Sequence, residues 1–362
     1  MKKTFYILFC AAFMGACLFF FAGAVFFPPD TDAEGRELSP FPAFMEDGQI
    51  NTAFFTELDT YLTERFSLRQ KLISANNHLK ETVFATGSNQ VIVGRNGFLF
   101  YGDTVGDYTG DARLTDEEIG QAADALLLLS EYCAAHDAEF IVAVAPNKNT
   151  IYGDNMPAVY RRCTEATNLD RLHDALRERG VSYTDLRAAL LDSDTLLYHK
   201  RDTHWNGMGA LAAYNAILDS AGIAHERYES FSPRTTADFP GDLDGMLYPG
   251  EKRYDENTVP DFDFSEGFIY TGAAASDMDL SITTRGGGTG SVLMFRDSFG
   301  SALIPYFSTA FAQARYERAV PYRIDILEQY DADLVIVEIA ERNIEQLITA
   351  ADRLMDGEAA AE

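Results

Sequence analysis

Cysteine is scarce in this chain, with four among 362 residues, and Cys10 and Cys17 sit inside an N-terminal apolar run. Only Cys133 and Cys163 remain, which excludes a disulfide-built fold and leaves open one bridge or free thiols. Cys133 shares a helical face with Leu126 and Leu129, as a buried thiol does. There is no Cys-x-x-Cys and no zinc-type spacing, and the six histidines supply no convincing third ligand. No metal and no cofactor are therefore expected. Basic residues are also short, 29 Lys and Arg against 56 Asp and Glu, for a net charge of −27. That excludes nucleic-acid binding through a phosphate-neutralising patch. It disfavours broad docking on anionic lipid and reads as a solvated acidic surface. Internal repeats are absent, and tryptophan occurs once.

What is present is globular: 47% hydrophobic and 23% charged residues. The length fits one large α/β domain with additions, or two small domains. The N-terminus carries Lys2 and Lys3, then no charge until Asp30, with an unbroken apolar run from Phe5 to Phe27. Such a run is long enough to span a bilayer, which needs about 20 residues, and longer than the roughly 7–15 of a cleaved signal core. Ala22-Gly23-Ala24 offers a cleavage site, but Val25, Phe26 and Phe27 continue the run. A transmembrane helix within residues 1–28 is expected. Lysines before it and Asp30, Asp32 and Glu34 after it leave the rest of the chain outside the cell membrane. A lipid on Cys17 is a remote alternative.

Residues 29–84 read as a linker rich in Pro, Asp and Gly followed by an amphipathic helix over 51–80, carrying Phe54, Leu58, Leu62, Phe66 and Ile73. From about 85 to 352 strands and helices alternate. The hairpin "VIVG…FLFY" turns at Arg95-Asn96-Gly97. A helix over 115–136 starts with Asp116, Glu117 and Glu118. "FIVAVAP" (140–146), "SVLMF" (291–295) and "DLVIVEIAE" (333–341) are continuous apolar strands, as in a sheet buried on both faces. Helices are expected near 167–178, after Trp205, after Ser298 and at the end of the domain, with a strand at "VSYTDL". This rhythm implies an α/β fold with a mostly parallel sheet. Residues 225–290 break it and read as an insertion, and 353–362 as a tail.

Chemistry in open α/β sheets collects beyond the carboxyl ends of the strands. After "SVLMF" comes Arg296-Asp297-Ser298-Phe299-Gly300, which places Ser298 past a strand and at a helix start. Free N–H groups there can hold an oxyanion, and Gly300 would allow an acyl group to approach. The stretch Asp202-Thr203-His204-Trp205 supplies a base: His204 to take the serine proton, and Asp202 to hold the other ring nitrogen. With one residue between them, both side chains can face a site only from a turn. Trp205 would wall the pocket or stack on a sugar. Each piece also has a plain reading: Asp-Ser before a helix is a common N-cap, and Asp-x-His can be a capped turn or a metal pair.

Together, "DTHWNGMGA" and "FRDSFG" resemble the SGNH-hydrolase-like family of alginate O-acetyltransferases AlgJ and AlgX, and still more the related DHHW proteins of bacteria. "VIVGRNGFLFYGD", "VAPNKNTIYGDNMP", "VEIAER" and "YLTERFSLRQKLI" also match, so the resemblance spans about residues 34–350. One departure is Thr203, where the DHHW pattern has His. The resemblance implies an α/β/α sandwich in which Ser298 is the acyl-accepting nucleophile, His204 its base and Asp202 the orienting acid. It implies acetyl transfer to a hydroxyl of a cell-surface polysaccharide, with a membrane-bound O-acyltransferase supplying the acetyl group. A deacetylating esterase and a silent glycan-binding protein remain alternatives. Asn147 lies beyond "FIVAVAP" and is either an oxyanion donor, as Asn is in ordinary SGNH enzymes, or a turn residue. Tyr152 lines the cleft or the core. Arg296 binds a carboxylated sugar or pairs with Asp297. Glu338, Glu341 and Arg342 are expected in structural ion pairs, and His199 outside the chemistry.

Overall fold

A computed structural model describes residues 2–26, 39–46, 48–64, 69–84, 86–272, 276 and 278–354. Half of the expected linker and all but two residues of the expected tail lie outside these. The chain forms two compact units, Met1–Ser88 with Asp244–Arg253, and Asn89–Leu243 with Tyr254–Glu362.

The first unit holds helices α1 (Lys2–Phe26), α2 (Phe54–Glu64) and α3 (Arg69–Phe84). The helix expected over 51–80 is thus two helices. Polar side chains fasten α3 to the 244–253 segment: Ser74 Oγ donates to the Pro249 carbonyl at 2.9 Å, and Asn77 Nδ2 to that of Leu247 at 2.7 Å. The side chains described in α1 end at Phe19, and among the described residues no helix is long and apolar enough to cross a membrane.

The second unit contains β1 (Val91–Val93), β2 (Leu99–Tyr101), β3 (Glu139–Ala145), β4 (Tyr183–Thr184), β5 (Pro233–Phe239), β6 (Asp255–Pro260), β7 (Phe268–Thr271), β8 (Ser281–Gly286), β9 (Ser291–Phe295), β10 (Gln313–Glu317) and β11 (Leu334–Ala340). Seven of them form one mixed sheet in the order β4-β3-β11-β9-β10-β8-β7. The first five are parallel, and β8 and β7 close the edge antiparallel. Alternate residues of each central strand face opposite layers. Val142, Val144, Leu293, Phe295, Val335 and Val337 pack under helices α4 (Asp116–Ala135) and α5 (Asn168–Arg179). Ile141, Ala143, Val292, Met294 and Ile336 pack under α6 (Leu186–Leu191), α7 (Gly207–Ser220) and α8 (Ile304–Ala310). Burial on both faces is why these strands are continuous apolar runs rather than alternating ones.

The local signals act as their chemistry dictates. Thr115 with Glu118 and Thr167 with Asp170 form reciprocal capping boxes at the starts of α4 and α5. Cys133 and Cys163 are both free thiols, and burial pushes Cys133 up to about 12. Two expectations are corrected. Residues 225–290 are not wholly an insertion: β5 and β6 make a separate hairpin, but β7 and β8 extend the main sheet. The segments after Ser298 and after Ala340 begin as tighter 3-10 turns, Phe299–Leu303 and Glu341–Thr349.

Candidate active site

Strands β3, β11 and β9 are neighbours and parallel, so Asn147, Glu341 and Ser298, which follow them, collect at one edge of the sheet. The Asp202–His204 stretch reaches that edge as a tight turn. Tyr198 and Trp205 bridge its base, and Asn206 N–H donates to the Leu197 carbonyl at 2.9 Å. Lys148 fills the turn. Its buried ammonium donates to the carbonyls of His199 at 3.2 Å, Lys200 at 3.0 Å and Asp202 at 2.6 Å. Burial lowers the Lys148 amine to about 7, against the opposing pull of Asp202, Asp242 and Asp255.

Asp202, His204 and Ser298 lie in one hydrogen-bonded line. His204 Nε2 is 2.8 Å from Ser298 Oγ, and His204 Nδ1 is 2.7 Å from Asp202 Oδ1. Asp202 also accepts from the His204 backbone N–H at 2.8 Å and from that of Asp242 at 2.8 Å. Burial opposes ionisation of Asp202. The hydrogen bond and charge of His204, with these backbone donors, outweigh it and hold the carboxyl well below the usual carboxylate range. Asp202, His204 and Asp242 offer ligand atoms within 4.8 Å of one another, but each of those atoms is already hydrogen-bonded within the site.

The N-cap reading of Asp297-Ser298 and the nucleophile reading divide between the two residues. Asp297 Oδ1 accepts from Phe299 N–H at 2.8 Å, while the Ser298 side chain caps nothing. Asp297 Oδ2 accepts from Ala340 N–H at 2.8 Å and Asn343 Nδ2 at 3.1 Å, tying the serine turn to the end of β11. The nearby donors are mostly spent. Asp297 N–H reaches Glu338 Oε2 at 3.2 Å, and Gly300 N–H also bonds Glu338. The N–H of Ser298 itself has no acceptor among the described residues, and stands beside its own Oγ.

The remaining expected site residues do other work. Trp205 is 1% exposed, stands edge-on to Phe299 with ring centres 5.1 Å apart, and donates to the Phe299 carbonyl at 3.1 Å. It braces the serine turn from inside and has no free face for a sugar. Arg296 is 3% exposed; it donates to Ser301 Oγ at 2.8 Å and to the carbonyls of Asp297 and Asp279 at 3.2 and 2.9 Å. It neither meets the Asp297 carboxylate nor reaches solvent. A Cβ on Gly300 would lie 2.6 Å from Glu338 Oε2, so this glycine serves close packing over Glu338. One N–H of the Asn147 amide donates to Asp107 at 3.0 Å, and the residue is buried. Tyr152 accepts from Leu197 N–H at 2.9 Å and packs edge-on against Tyr198. His199 stacks on Phe239 at 3.8 Å.

Glu338, Glu341 and Arg342 form no ion pairs among the described residues. Arg342 lies over the Phe299 ring, 5.2 Å from its centre. Glu338 and Glu341 are buried carboxyls. Burial, then the charge of Asp297, raises Glu338 well above its ordinary range. Glu341 accepts from Asn147 N–H at 2.8 Å and the Thr150 hydroxyl at 2.6 Å, and burial raises it from an ordinary 4.5 to about 7. Between those values the folded chain keeps a proton that the unfolded chain has released. The stability from Glu341 is therefore complete below 4.5 and lost as pH rises through 7, a swing of about 3 kcal/mol. Glu341→Gln keeps an acceptor oxygen and removes the swing. We expect its urea midpoint, followed by the single Trp205, to match wild type near pH 4.5 and exceed it at pH 8. Parallel curves would contradict the assignment.

Asp242 had no signal as a site residue, standing 38 positions beyond His204 in the segment read as an insertion, and Thr203 showed only as the departure from the DHHW pattern.

Fold and site together define an α/β/α domain with a mixed sheet and a Ser-His-Asp line at its edge. Residues 91–264 match the family model for the SGNH hydrolase-like domain of acetyltransferase AlgX. No curated protein matches it. Among solved structures, it is similar to a DHHW family protein from Eubacterium siraeum, with 16% identity, a TM-score of 0.53, and 72% of this chain and 95% of that one covered. It is also similar to PatB1 of Bacillus cereus, with 15% identity, a TM-score of 0.54, and coverage of 69% and 95%. At such identities the likeness is one of fold.

Proposed function

We propose that this chain is a membrane-anchored, extracytoplasmic O-acetyltransferase that moves an acetyl group through Ser298 to a polysaccharide hydroxyl. The observation that carries the reading is the line Ser298 Oγ–His204 Nε2 at 2.8 Å and His204 Nδ1–Asp202 Oδ1 at 2.7 Å. Ser298 Oγ attacks the acetyl carbonyl while its proton passes to His204 Nε2. The resulting imidazolium is paired with ionised Asp202, and the Ser298 N–H, which has no acceptor among the described residues, is available to donate to the oxyanion. Collapse expels the donor's leaving group, which takes the proton from His204, and leaves acetyl-Ser298. His204 then accepts the proton of a sugar hydroxyl as that oxygen attacks the ester, and returns it to Ser298. The match to the acetyltransferase AlgX model supports acetyl transfer; a membrane-bound O-acyltransferase as donor and a cell-surface polysaccharide as acceptor are the further parts of this proposal.

The test incubates the full chain in detergent with p-nitrophenyl acetate and chitopentaose or cellopentaose. Acetylated oligosaccharide, absent with Ser298→Ala, supports the transferase. Free acetate alone favours an esterase of the same architecture, and no turnover above the Ser298→Ala control favours a silent glycan-binding protein. The anchor follows from the Phe5–Phe27 run. The full chain should sediment with membranes and resist carbonate extraction; release by carbonate would contradict it.

A further inference from the structure

We propose that Thr203 and Asp242 form a second positioning arm on His204, which fixes the ring tautomer through the same Nδ1 that Asp202 holds. This rests on the reading of Ser298 as nucleophile and His204 as its base. The Asp242 carboxylate grips Thr203 twice, accepting its N–H at 2.8 Å and its hydroxyl at 2.6 Å. A hydroxyl has one proton, and here it points to Asp242 Oδ2. Thr203 Oγ1 therefore presents only lone pairs to His204 Nδ1, 3.1 Å away. Nδ1 must carry the proton, shared between Thr203 Oγ1 and Asp202 Oδ1 at 2.7 Å. Nε2 is left as the lone pair that faces Ser298.

Asp242 contributes twice more. Its backbone N–H donates to Asp202 Oδ2 at 2.8 Å, so one residue steadies both arms. Its Oδ2 lies 3.8 Å from His204 Nδ1, close enough to favour the imidazolium once the serine proton has moved. The approach depends on Gly241, where a Cβ would lie 2.4 Å from the Arg201 carbonyl oxygen. Thr203 stands where the DHHW pattern has His.

The experiment uses the full chain in detergent, p-nitrophenyl acetate as the probe, and thermal unfolding read by Trp205. Thr203→Val keeps the shape and removes the hydroxyl; kcat should fall on the order of 10-fold with KM unchanged. Thr203→Ser restores the hydroxyl and should recover most of the loss, which a packing role would not do. Asp242→Asn should lower kcat comparably. Ser298→Ala separates the possible failures. If that variant is as fast as wild type, the nucleophile reading falls and this proposal with it. If it is inactive while Thr203→Val or Asp242→Asn keeps wild-type kcat, the second arm alone is overturned. A Thr203→Val loss that Thr203→Ser does not recover also overturns it. Should Thr203→Val fail to fold, Asp242→Asn and Thr203→Ser decide.

Discussion

Ser298→Ala should abolish acetyl release from p-nitrophenyl acetate, lowering kcat/KM on the order of 10⁴-fold or more. Ser298 Oγ is the hydroxyl that His204 Nε2 meets, at 2.8 Å, so no other side chain inherits its role. Cys133 cannot stand in, because it is buried and its thiol is pushed up to about 12. The fold should survive intact. The Ser298 side chain caps no helix, and Asp297 holds the turn through Phe299 N–H and Ala340 N–H at 2.8 Å each. Stability should therefore stay within about 0.5 kcal/mol of wild type. Stopped-flow release of nitrophenol with urea unfolding read at Trp205 checks both halves. A variant that is inactive because it is unfolded would contradict the assignment of the turn to Asp297.

The second large effect is expected from Asp202→Asn, on the order of 10³–10⁴-fold in kcat. Both Asp202 oxygens accept: Oδ1 from His204 Nδ1 and His204 N–H, Oδ2 from Asp242 N–H. An Asn has one acceptor oxygen and one donor amide group. With the oxygen on either backbone donor, its amide meets a second donor. Where it faces His204, the ring is driven to the tautomer with its proton on Nε2, which can no longer accept from Ser298. Asp202 is also ionised well below the ordinary range, so it contributes stability above the usual carboxylate pKa that is lost as pH falls. The variant should lack that acid-sensitive part. Activity within tenfold of wild type would show that Asp202 does not set the tautomer.

The fold was legible wherever burial on both faces leaves a continuous signature. "FIVAVA", "SVLMF" and "LVIVEIA" are strands β3, β9 and β11, and the polar caps Thr115 and Thr167 mark the starts of α4 and α5. The antiparallel edge was not legible. In β8 only Ile282 and Thr284 are buried, and β7 buries none of its residues fully, an alternation too short to stand out among Gly and Thr.

At the site, residue types two apart in a turn announced Asp202 and His204. What their neighbours touch depended on packing. Trp205, beside the base, reads as a pocket wall or a sugar contact, and Arg296, two residues before the serine, as a sugar contact or a partner of Asp297; the sheet edge buries both. Asp242 was silent because its role comes from a close backbone approach at Gly241, which nothing in the local sequence encodes.

The most direct measurement is the position of the acetyl group on the protein. The full chain is mixed briefly with p-nitrophenyl acetate, quenched in acid and mapped by peptide mass spectrometry, beside Ser298→Ala and His204→Ala. Acetyl on Ser298 in wild type, formed far more slowly in His204→Ala and discharged by an added oligosaccharide, is the expected result. Acetyl confined to lysines, or equal labelling of wild type and Ser298→Ala, would contradict acyl transfer through Ser298.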